Sequence, residues 1–212
     1  MGLDWNPLGR PKPGMDEAFR RLLAVDLSRL PPDEQAAHTS RFTEITDTPY
    51  EVLDAPRVGI DGAADDWLLE QLRQRSAEAR FELTRENMRG YFVLDLVPAS
   101  PGLPVYSSRG YAGVDRYTFR GAFLDGAKAI IGDALYERAW ERMDASTLSE
   151  YAGDLLGAAR RFALERGLQG LEDRREPPAD DDPDQRAAHV VFSAAAWARW
   201  WSDRGFGLEP YF

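Results

Sequence analysis

The chain contains no cysteine, which excludes disulfides, thiolate metal sites and a cysteine nucleophile. Histidine is almost as scarce, with His38 and His189 the only two, and lysine stands only at Lys12 and Lys128. Arginine supplies the rest of the basic charge, as codon usage in a GC-rich genome would favour. No apolar run is long enough to cross a bilayer, and "MGLDWNPLGRPKPG" at the start lacks the apolar centre of a signal peptide. The expected location is the cytoplasm, away from membranes.

Several chemistries are missing as well. There is no G-x-S-x-G elbow and no H-E-x-x-H pair. "GRPKPG" has the glycine spacing of a phosphate loop, but Met15 and Asp16 follow where Lys and Ser or Thr belong. Two of its residues are prolines with no N–H to offer a phosphate. "DDDPD" opens like a calcium loop, but Gln185 occupies the place of the turn glycine. Glu34, His38 and His189 are the inventory for a two-histidine, one-carboxylate metal set, yet nothing in the sequence brings them together. No metal and no cofactor is expected.

What remains is acidic and helical. The net charge of −10 opposes binding to nucleic acid, which depends on neutralising phosphates. It suits a basic protein partner. At 212 residues the chain fits a single domain spanning 1–212. Within it, residues 172–184 have the composition of an exposed acidic, proline-rich loop.

The apolar periodicity predicts a mainly α fold of about five to seven helices. Phe19, Leu22, Leu23, Leu27 and Leu30 mark the first, and "PPDEQAAHTSRF" a second. Leu69, Leu72, Ser76, Ala79 and Leu83 form a stripe on a long helix ending at Gly90. The competing reading breaks that helix near Ser76 and makes "RFELT" a strand, leaving residues 78–89 open between the two. Later, Thr147 with Glu150 matches a capping box for a helix that stops at Gly167, and Asp184 is placed to cap the last helix. "YFVLDLV" at 91–97 reads as the best strand, predicting a small hairpin or sheet near residues 91–107. A larger sheet would make the fold α+β.

The last helix carries Trp197, Trp200 and Trp201 over a wide apolar arc, which predicts a core position. A homodimer interface is the alternative.

Two features point to a site. Asp95, in the middle of the predicted strand, is the acid–base candidate, because a covered carboxylate titrates abnormally. "SSRGYAGVDRYTFRG" at 107–121 supplies Arg109, Arg116 and Arg120 to grip an anion, with Tyr111 and Tyr117 as walls. The same segment also reads as an ordinary helix entry. Two functions follow. The first is a non-catalytic binding protein, of inhibitor or immunity type, for a basic partner. The second is an enzyme or small-ligand binder with an anion-accepting pocket between 91–97 and 107–121.

Overall fold

The computed structural model describes residues 2–49, 52, 54–96, 106, 118–174, 177–179 and 182–212. These residues form a mainly α protein with a small β component, as the sequence predicts. The described α-helices are α1 (Asp16–Leu23), α2 (Pro32–Ile45), α3 (Gly62–Arg73), α4 (Phe81–Asn87), α5 (Lys128–Arg138), α6 (Ala145–Arg166) and α7 (Pro183–Ser202). The strands are β1 (Asp4–Leu8), β2 (Arg10–Pro11), β3 (Thr46–Asp47) and β4 (Gly207–Tyr211).

The core is built on α6 and α7. Leu148, Tyr151, Ala152, Leu155, Ala159 and Ala163 recur along one face of α6 and are all buried. On α7 twelve residues are buried, among them Ala188, Val191, Ala194 and Ala198, whose small side chains let neighbouring elements approach closely. Trp197 and Trp201 are completely inaccessible and Trp200 is 5% exposed. The tryptophan helix is therefore core.

Both helices start on an aspartate earlier than the sequence suggests. Asp144 accepts from the Thr147 N–H at 2.8 Å, so Thr147 is the capped residue and Asp144 the cap. Asp182 likewise accepts from the backbone of Asp184 and Gln185, with Pro183 in the first helical position, where its missing N–H costs nothing. Gly167 ends α6 in the left-handed conformation, as predicted. Asp144→Ala should destabilise the protein by about 1 kcal/mol. Thermal melts should show it, and an unchanged midpoint would mean that solvent replaces the cap without loss.

The two ends of the chain close this core. β1 pairs antiparallel with β4, Asp4 opposite Tyr211 and Leu8 opposite Gly207. Each strand is backed on its other edge: Trp5 exchanges both backbone hydrogen bonds with Phe119, and Leu208 does so with Met143. Trp5 lies at the centre. Its indole N–H donates to the Ala139 carbonyl at 2.8 Å, and its ring lies 5.0–5.8 Å from those of Phe119, Tyr151 and Trp197. Arg142 makes a two-pronged ion pair with Glu209, fixing β4 from outside.

Smaller units flank the core. α1 and α2 pack through Phe19, Phe42 and His38, and β2 pairs with β3 beside them. The predicted long helix over 63–90 is broken. Ser76 takes φ 52°, and the chain restarts through a 3₁₀ turn (Glu78–Arg80) into α4. "RFELT" is accordingly helical, not a strand, and Leu83 is exposed. The buried stripe of α3 is Ala64, Leu68 and Leu72, which with Val58, Met88 and Val93 makes a second apolar cluster. Gly132, at φ 74°, separates the first turn of α5 from the rest. Within the acidic 172–184 stretch, Glu172 is clamped by Arg160 and Pro178 is buried.

Candidate functional site

Of the predicted strand at 91–97, Phe92 forms an isolated bridge among the described residues, and of the predicted hairpin reaching to 107, residues 97–105 and 107 lie outside them. Phe92 bridges Arg57, with Val93 N–H donating to the Pro56 carbonyl and Val58 N–H to that of Tyr91. The pairing ends after Val93, where the chain leaves the extended conformation. Leu94–Leu96 then coils into a 3₁₀ turn that leaves Asp95 exposed. The covered face that the strand reading gave this carboxylate is therefore absent. Among the described residues the small sheets belong to the β1–β4 and β2–β3 pairs.

Beside this turn opens a cleft of about 640 Å³. Phe92 and Leu96 form one wall; Thr48, Asp54, Arg57 and Asp61 contribute to the other. Asp54 adopts φ 48°, a conformation Asp tolerates better than most residues. Asp61 accepts from the Arg57 N–H at 2.7 Å, and the Arg57 guanidinium lies 5.8 Å from the centre of the Phe92 ring. The loop is held from behind by Asp65, which accepts from the Gly59 N–H and pairs with Arg85 at 2.6 Å. The Arg85 guanidinium is held above its usual range by that bond. One cleft wall is thus fastened to α3 and α4.

Arg120, predicted as an anion grip, has a structural partner. Its guanidinium pairs with Asp4 at 3.6 Å and covers Gly2, and its backbone N–H donates to the Tyr106 carbonyl at 2.7 Å. Burial raises the Asp4 carboxyl above the ordinary carboxylate value, and Arg120 pulls it part of the way back. Phe119 is buried against Trp5, and Gly121 has no room for a side chain beneath Leu3 and Trp5. This end of the 107–121 segment is a chain entry into the core. Arg109, Tyr111, Arg116 and Tyr117 lie outside the described residues.

Both histidines are turned inward. His38 is bonded through Nε2 to the Leu22 carbonyl oxygen at 2.9 Å, which ties α2 to the end of α1. His189 is bonded through Nε2 to the Arg174 carbonyl oxygen and through Nδ1 to the Tyr106 hydroxyl. No group of three metal-binding side chains occurs among the described residues.

The cleft wall at 54–61 escapes a reading of the sequence because "DAPRVGIDG" carries only turn signals. The one clue is the density of Asp and Arg around its glycines. Compared with protein-family models, curated proteins and solved structures, the chain matches none.

Proposed function

We propose that the protein acts by binding, taking a basic segment of a protein partner into the cleft between Phe92 and residues 54–61. The observation that carries this reading is the Asp54 carboxylate, with Asp61 nearby on the Arg57 backbone and guanidinium, in a cleft lined by an aromatic and an aliphatic side chain, Phe92 and Leu96. An arginine or lysine side chain needs both: a carboxylate for its head and apolar surface for its stem. The net charge of −10 draws a cationic partner in and opposes a polyanion such as nucleic acid. No described helix is long and apolar enough to cross a membrane. The second reading, an anion-accepting pocket built from Asp95, Arg109, Tyr111, Arg116, Tyr117 and Arg120, has less support, since Asp4 already holds Arg120.

Calorimetry with arginine-rich peptides tests the proposal. Binding should weaken severalfold as salt rises from about 20 to about 200 mM, because exposed charges are then screened. Asp54→Asn and Asp61→Asn should each weaken it by about two- to fivefold, the range for an exposed ion pair, while Asp33→Asn on α2 should not. The proposal fails if no basic peptide binds at low salt, or if the cleft variants behave like the α2 control.

A further inference from the structure

His189 is fully buried in α7, yet it is bonded to two segments far from it in sequence. A carbonyl oxygen only accepts, so Nε2 carries the proton that bonds Arg174, at 2.9 Å. In the neutral ring Nδ1 is then an acceptor, and the Tyr106 hydroxyl donates to it at 3.0 Å. The two rings meet edge to face with centroids 5.5 Å apart, and Phe119 and Phe123 enclose Tyr106 from other sides. Through its carbonyl, Tyr106 continues to Arg120 and so to Asp4 on β1. One imidazole therefore links α7, the chain after the 3₁₀ turn Gln169–Leu171, and the segment that braces the N-terminal strand.

We propose that His189 is a proton-operated pin: neutral, it fastens Tyr106 and the Arg174 backbone to α7, and on taking up a proton it releases Tyr106. The imidazolium has two donors and no acceptor, so the tyrosine hydroxyl loses the group it donates to. Among the described residues, the charges that act on the pair are Arg174, beyond the 169–171 turn, and Arg186, on α7 itself, and both are positive. The core side chains of α6 are apolar except Tyr151, whose hydroxyl is bonded to the Leu135 carbonyl. In the 3₁₀ segment Gly121–Ala127, Asp125 is paired with Lys128.

Burial accordingly holds the His189 ring below its ordinary value of 6.5, with the bond to the Arg174 carbonyl opposing and the Arg174 charge assisting. The sign follows. Well above pH 6.5 neither folded nor unfolded chain protonates this ring appreciably, and the pin contributes fully. Below that value the unfolded chain takes up the proton first, and the contribution declines until the lower folded value has been passed.

Hydrogen exchange read by mass spectrometry, corrected for intrinsic rates, is the test. Between about pH 8 and about pH 5 the amides of Arg120, which bonds the Tyr106 carbonyl, and of Arg174 should lose protection by about tenfold, while the core amides of α6 hold theirs. His189→Gln keeps a donor and an acceptor but does not titrate, so its protection should be the same at both pH values. Should that variant not fold, Tyr106→Phe keeps the imidazole without its hydroxyl partner. The Arg120 amide should then be less protected already at the higher pH and change no further at the lower. Equal protection of the wild type at both pH values overturns the proposal, as does a pH response that survives unchanged in either variant.

Discussion

Trp5→Ala should destabilise the protein by about 3–5 kcal/mol, the usual cost of removing a large buried aromatic. The ring touches Phe119, Tyr151 and Trp197, which belong to the 118–121 segment, α6 and α7, so no one element can shift to fill the space. The Ala139 carbonyl would also lose its donor, adding about 1–3 kcal/mol if nothing replaces it. Trp5→Phe separates the two contributions by keeping most of the packing and removing the N–H. In a chain of this size each kcal/mol lowers the melting midpoint by about 2–4 °C. A Trp5→Ala midpoint within about 2 °C of the parent would mean that β1 is not part of the cooperative core.

Gly207→Ala should come close behind. An added Cβ would run into the Met143 carbonyl, a backbone atom that cannot swing aside as a side-chain tip can. Relief requires β4 to move away from Met143, breaking the two backbone bonds that Leu208 and Met143 exchange. The expected cost is about 3 kcal/mol, at the upper end for overpacking. Exchange protection at Leu208 should fall with it. Gly153→Ala is the matched control: it lies exposed on α6 with open space where its Cβ would go, and should stabilise by about 0.5–1 kcal/mol. Equal midpoints for the two variants would contradict the steric account.

The same elements mark where the sequence is legible. α6 and α7 are legible because their signals are local: apolar residues recur along one face, and Gly167 stops the first of them. The start of α6 is misread by one turn because two residues of capping type, Asp144 and Thr147, stand three apart, and the true cap bonds to the false one. β1 and β4 are not legible at all. "DWNPL" and "GLEPY" each contain a proline, and neither alternates cleanly between apolar and polar; each becomes a strand because the other supplies its partner. The candidate site shows the same division. Phe92 and Leu96 line a cleft, but it faces 54–61, whereas the sequence reading set a pocket against 107–121. The facing wall comes from 54–61, a stretch that carries no periodicity, and only the fold brings it across.

The pairing of β1 with β4 sets a timetable for synthesis. Asp4 and Tyr211 are 207 positions apart in the chain, yet they stand opposite each other in one ladder. At roughly 5–20 residues per second, the first strand waits roughly ten to forty seconds for the second. During that interval α6 can coil, but the fully buried Trp5 has no complete seat, since Trp197 on α7 and the β4 backbone have not yet emerged. An interrupted chain would present that tryptophan to the cell as unburied surface, open to chaperones and proteases, until the final strand arrives to cover it.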